Sequence, residues 1–208
     1  MTRLPAAKRR EQLLACAAKL FAERGYARAT TAELAKRAGV TEPIIYRHFN
    51  NKLDLFIALI ERAGRETIAQ WTAHLQGSDD PAERLRLLLG ENPMVSPEGR
   101  DAYRVLLQAI TEVHREPDVQ KAIDKHMQSL HRFLTAEVQR AQEEHKLTRR
   151  FSADLIAWLL IDIGLGYGVL SALGVRGHGS SPDGGHVQEL ISRVLTGPRA
   201  SGGERHAV

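Results

Sequence analysis

Sulfur is scarce in this 208-residue chain, which has one cysteine and three methionines. A lone thiol at Cys16 allows no disulfide framework within the chain and no multi-cysteine zinc or iron–sulfur site, so a reducing compartment is its natural setting. Aromatic residues make up only 5% of the chain, with two tryptophans. No stretch alternates apolar and polar residues in the manner of a half-buried strand, and no internal repeat stands out. There is no H-E-x-x-H, no His–Cys pairing, no nucleophile motif and no general-base pair, which removes the usual grounds for catalysis, a metal or a cofactor. Gly164-x-Gly166-x-Gly168 mimics a nucleotide loop but follows no strand, so helix packing is its better reading.

The residues present are 43% hydrophobic and 26% charged, enough for one large core or for a small domain beside a larger one. The net charge of +4 is unevenly placed: residues 1–52 hold eleven Lys or Arg against four acids, and residues 53–208 hold eighteen against twenty-one. One end is built to meet something anionic. Lys8, Arg9 and Arg10 ahead of Leu13-Leu14-Ala15-Cys16 imitate a secretion signal. Glu11 and Gln12 interrupt the approach, however, and Lys19 closes the apolar run before it reaches the roughly 7 to 15 residues such a signal needs. A cytoplasmic protein is expected.

Helical periodicity runs through almost every segment, so the expected fold is all-α, about nine helices in two regions joined through the fourth. Leu13, Leu14, Ala17, Leu20 and Phe21 mark a helix over about 8–24, with Cys16 as a small core residue and Gly25 ending it in a left-handed turn. Thr30 and Glu33 have the spacing of a capping box for a second helix to Ala38. Thr41 and Pro43 open a third, anchored by Ile45 and Phe49, and Asn51 caps a fourth reaching Trp71 and Leu75. Leu85, Leu88 and Leu89 mark a fifth, then residues 92–97 form a Pro-bounded break. A sixth runs over Ala102–Val113, with Pro117 stopping or kinking it. Further helices follow over Asp118–His145, Leu155–Val175 and His186–Leu195, with a loop over Gly177–Gly185. The expected boundaries are a head at 1–52, a body at 53–196 and a disordered tail at 197–208.

Leu155–Val175 carries a single charge, Asp162, and is long enough to span a membrane. Its helical wheel suggests a soluble role instead, because Ala153, Ala157, Gly164, Gly168 and Ser171 share one narrow stripe opposite Trp158, Asp162, Leu165 and Val169. Ala157, Gly164, Gly168 and Ser171 are therefore the expected contact with a second copy of the chain. A buried Asp162 needs either an Arg or His partner or a ligand. Trp71, Tyr103, His126, Met127, Trp158 and Asp162 are the candidates for a pocket among the fourth to eighth helices.

Helices two and three, with Gly39 between them, have the spacing of a helix-turn-helix. Thr41, Glu42, Pro43, Tyr46, Arg47 and His48 then lie on the outer face of the second of these. Thr30, Thr31 and Lys52 flank it with hydroxyl and ammonium groups suited to phosphate. Residues 9–56 resemble the DNA-binding domain of the tetracycline-repressor (TetR) family. The resemblance rests on Leu13, Ala17, Phe21, Gly25-Tyr26, Thr30-Thr31, Leu34-Ala35, Ala38-Gly39-Val40, Ile45-Tyr46-Arg47-His48-Phe49 and Lys52. It implies a homodimeric transcriptional regulator, usually a repressor, that leaves a near-palindromic operator on double-stranded DNA when a small molecule enters the C-terminal core.

The same resemblance implies that Tyr46 packs on the DNA backbone and thymine methyls, that His48 and Lys52 meet phosphate, and that Thr30 or Thr31 makes a contact at the start of the second helix. Glu42-Pro43-Ile44 departs from the family's usual basic, small and polar run. Glu42 there either accepts from a cytosine amino group or repels phosphate. The alternative function is an all-α small-molecule binder or enzyme whose basic head is only a solvated cap.

Overall fold

A computed structural model describes residues 4–90, 105, 107–112 and 115–175. Among these residues there are eight helices and no strand. They are α1 (Ala6–Arg24), α2 (Thr31–Ala38), α3 (Glu42–Tyr46), α4 (Lys52–Leu75), α5 (Pro81–Gly90), α6 (described at 105 and 107–112), α7 (Pro117–Glu143) and α8 (Ala153–Ala172). The expected break over 92–97, the loop over 177–185, the helix over 186–195 and the tail lie outside the described residues.

Local sequence accounts for most helix ends. The Thr30 hydroxyl accepts from the Glu33 N–H at 3.1 Å while the Glu33 carboxylate accepts from the Thr30 N–H, completing the capping box. Gly39 closes α2 in the left-handed region, at φ 65° and ψ 37°. Gly25 also has positive φ, but its ψ of 148° sends the chain into an extended turn and not the left-handed helical one. Thr41 precedes α3 without making a side-chain cap, and Pro43 sits in the first turn. The Asn51 side chain caps α4 through the Asp54 N–H at 2.8 Å. Pro117, expected to end the preceding helix, instead starts α7, where its missing N–H leaves no bond unmade.

Two apolar clusters form the interior. One joins Leu13, Leu20 and Phe21 of α1, Leu34 of α2, Ile45 and Phe49 around α3, and Leu55 and Phe56 of α4. Val105 and Ala109 of α6 and Val119 and Ala122 of α7 belong to it too, so the core of the N-terminal helices is completed by C-terminal ones. The second cluster gathers Leu75, Leu88, Leu134, Val138, Ala141, Ile156, Ala157 and Ile161.

The turn between α1 and α2 is held from both sides. Lys52 Nζ donates to the carbonyls of Tyr26, Ala27 and Ala29 at 3.0, 3.3 and 3.2 Å, and lies 4.5 Å from the centre of the Tyr26 ring. That ring stacks on Phe56 at 4.4 Å. From α6, the Gln108 side chain accepts from the Tyr26 N–H at 2.8 Å and donates to the Phe21 carbonyl at 2.8 Å.

At the other end of α4, Arg84 gives Nε and Nη2 to the Glu137 carboxylate, both at 2.7 Å, and Nη1 to the Leu75 and Ser78 carbonyls at 2.6 and 3.1 Å. Midway along α4, the His126 ring lies directly against the backbone at Gly64. A Cβ there would come within 2.7 Å of His126 Nδ1.

Arg84→Ala removes both hydrogen bonds to the buried Glu137 carboxylate, leaving it only Arg140 at 4.0 Å, and should destabilise the chain by about 3 kcal/mol in chemical denaturation. Arg84→Lys should recover only part of this, because a single ammonium cannot bridge the carboxylate and the helix end together. Burial lowers the pKa of His126, so the folded chain favours the neutral ring. That contribution is complete above about pH 6.5 and is lost as pH falls through the lowered value. His126→Asn should therefore show a smaller fall in melting temperature than the parent between about pH 7.5 and 5.5; equal falls would place the proton elsewhere.

Candidate nucleic-acid interface

Ile45 and Phe49 are 1% and 2% exposed, and they fix α3 against α1, α2 and α4. With that side buried, Thr41, Pro43, Tyr46 and Arg47 are exposed and His48 is half-buried. Tyr46 is 50% exposed although it is a large aromatic residue. Its hydroxyl lies 3.1 Å from Thr31 Oγ1, and the Thr31 hydroxyl donates to the Glu42 carboxylate. Glu42 is thus turned back onto α2.

The remaining residues read as DNA contacts also make bonds within the fold. Thr30 is engaged in the capping box, its hydroxyl also 3.2 Å from Glu33 Oε2. Lys52, read from the sequence as a phosphate contact, has its ammonium within hydrogen-bond distance of three main-chain carbonyls. Other basic residues of the head are also engaged. Arg37 is paired with Glu23 through two bonds of 2.9 and 2.6 Å, a hydrogen-bonded pairing that lowers the Glu23 pKa. Arg10 lies 5.0 Å over the Phe49 ring.

In the body, Trp71 and Met127 are partly buried against the second cluster together with Leu130 and Phe133. Trp71 Nε1, His126 Nδ1 and Thr135 Oγ1 are buried polar atoms without a hydrogen-bond partner. Trp71, His126 and Met127 are thus turned toward the interior of the α4–α7 layer, and Tyr103 lies outside the described residues. Trp158 and Asp162 are placed differently from expectation. Trp158 is 40% exposed and stacks on His131 at 4.5 Å, and Asp162 is exposed. Exposure leaves the Asp162 carboxylate hydrated, so it needs neither a buried partner nor a ligand.

The small-residue stripe is corrected as well. Ala157 is 0% exposed inside the protomer's own core beside Ala153, and Gly168 is buried, whereas Gly164 is half-buried. The side chain of Ser171 is outside the described set. The outward side of α8 is the large one, with Leu155, Trp158, Leu159 and Leu170 exposed. Ala153 and Ala157 share the buried side of α8 with Ile156 and Ile161, and the Leu155, Trp158, Leu159 and Leu170 side is left uncovered.

The sequence reading missed Gln108, Thr135 and the Gly64–His126 contact. Gln108 carries a faint signal, being the one polar side chain in the apolar run Val105 to Ile110. Gly64 carries none, because its contact His126 is on another helix, and Thr135 carries none, because nothing around it in sequence marks its hydroxyl as buried.

Residues 13–59 match the family model described as bacterial regulatory proteins, tetR family, and residues 81–182 match the model of the BetI-type transcriptional repressor, C-terminal. The HTH-type transcriptional activator FasR of Mycolicibacterium smegmatis is 40% identical over 84 residues, which are 40% of this chain and 38% of that protein. The match therefore spans less than two fifths of that relative's length. A transcriptional regulator from Saccharomonospora viridis, solved in complex with choline, superposes with a TM-score of 0.77 at 24% identity, over 89% of this chain and 94% of that one. FadR from Bacillus subtilis, solved in complex with stearoyl-CoA, gives 0.66 at 16% identity, over 87% and 96%. At these identities the structural likeness is one of fold. With both its head and its body matched by models of one non-enzymatic group of regulators, the chain belongs to the TetR family of bacterial transcriptional regulators.

Proposed function

We propose that the protein is a cytoplasmic, homodimeric repressor that holds a near-palindromic operator through α3 and releases it when a small molecule enters the body. The observation that carries this reading is the one-sided burial of α3, which anchors Ile45 and Phe49 and leaves Tyr46 and Arg47 exposed on a net-positive head. A short helix so anchored can enter the major groove as a rigid unit. Thr41, Pro43 and His48 border it, with Thr31 and Glu42 behind.

The exposed leucines and tryptophan of α8 support association with a second copy, since an apolar face of this kind marks an interaction surface. Two heads then address half-sites about one DNA turn apart. The interior near Trp71, His126, Met127 and Thr135 suits an apolar effector bearing a few hydrogen-bonding groups. The choline and stearoyl-CoA in the two solved relatives support a small-molecule effector in general without naming this one. Both α4 and α6 grip the α1–α2 turn. An effector that favours one arrangement of those helices therefore biases the head by its differential affinity for the two states.

Anisotropy titration of the full chain against duplexes from the DNA flanking its own gene should give binding that weakens steeply with salt. Arg47→Ala should lower the salt slope by about one unit. Lys52→Ala should leave the slope unchanged and lower the melting temperature, since its ammonium serves the turn. Salt-independent or absent binding would leave the head without a DNA role. On sizing chromatography the parent should run as a dimer and Leu159→Glu as a folded monomer with weakened operator binding; a dimer that survived this charge would move the interface away from α8.

A further inference from the structure

The Thr31–Glu42–Tyr46 chain fixes the direction of its own hydrogen bonds. An ionised carboxylate can only accept, and a hydroxyl carries one proton. The Thr31 proton is committed to Glu42. The 3.1 Å contact between Thr31 Oγ1 and the Tyr46 hydroxyl then has to use the Tyr46 proton. Tyr46 therefore donates inward and presents lone pairs outward, from a ring that is half exposed.

That polarity selects among DNA groups. Phosphate oxygens only accept, so to bond one Tyr46 would have to abandon Thr31, and it would do so beside the Glu42 carboxylate. In the major groove the donors are the exocyclic amino groups of adenine and cytosine, whereas the guanine O6 and N7 and the thymine O4 accept. Building on the DNA-binding reading above, we propose that Tyr46 reads a base as a hydrogen-bond acceptor, taking an adenine N6 or cytosine N4 proton. Thr31 and Glu42 are the positioning residues that set this polarity. The Glu42 that departs from the usual basic position thus acts on DNA through Tyr46.

The test starts from duplexes that the full chain selects out of a random pool. The tightest is resynthesised with one exocyclic amino group removed at a time, purine replacing adenine or pyrimidin-2-one replacing cytosine. Removal at one position in each half-site should weaken the parent about tenfold and should have no such effect on Tyr46→Phe. Thr31→Ser, which keeps the relay, should retain the dependence. Thr31→Val, which frees the Tyr46 proton, should lose it while circular dichroism shows an unchanged helix content. The proposal is overturned if amino removal affects the parent and Tyr46→Phe alike while Tyr46→Phe loses the same factor on operator and scrambled duplex, since the hydroxyl would then be donating to the backbone. If the parent selects no duplex at all, the DNA-binding reading itself fails and takes this inference with it.

Discussion

A turn that cannot satisfy its own main chain governs the rest of the molecule. Between α1 and α2 the carbonyls of Tyr26, Ala27 and Ala29 and the N–H of Tyr26 have no helical partner. Lys52 from the start of α4 meets the first three, and Gln108 from α6 meets the last. The groups of Tyr26 and Ala29 are part-buried, and a polar group cut off from water costs roughly 1–3 kcal/mol when left unpaired. The head is therefore stable in the arrangement in which α4 and α6 both reach the turn. Val105 and Ala109 of α6 complete its apolar core from the same side. The coupling proposed above between body and head would run through these shared contacts without any dedicated linker.

The opposite end of the molecule shows the same dependence of function on what packing leaves over. α8 buries Ala157 with Ile156 and Ile161 in the second cluster and leaves Leu155, Trp158, Leu159 and Leu170 exposed. Ala153–Leu170 is long and apolar enough to cross a membrane by length and composition, and only 28% of that window is buried within one chain. In the dimer proposed above, this uncovered side is the surface that a second copy would cover. Trp158, stacked on His131 of α7, and the exposed Asp162 lie along the same helix. They give the face a polar margin that a uniformly apolar span would lack.

Elements whose cause is local were legible in the sequence. The capping box at Thr30 and Glu33, the Asn51 cap, the turn at Gly39 and the inward pair Ile45 and Phe49 each depend on residues within a turn or two. What escaped was every assignment that required knowing the neighbour. Periodicity placed Ala157 on the small side of α8 and Trp158 on the other, and it could not say which side faces α7. It likewise placed Asp162 on an apolar helix without revealing that the helix has a face in solvent. Pro117 marks a helix boundary equally well from either direction, and only the chain before it decides which. Lys52 illustrates the same limit in the head, since the carbonyls its ammonium meets lie 23 to 26 residues earlier in the chain.

The reading surface is best identified by subtraction. The head carries a large excess of basic side chains, but many are engaged within the fold. Arg37 is tied to Glu23, Arg9 to the Gln12 side chain, Arg28 to the Arg24 carbonyl, Lys52 to its three carbonyls, and Arg10 lies over Phe49. Net charge therefore measures the long-range attraction that brings the head to DNA, whereas the side chains free to make contacts on arrival are fewer than the charge suggests. Under the reading proposed for Tyr46, specificity in this head is set as much by the bonds α2 and α3 make to each other as by the side chains they expose.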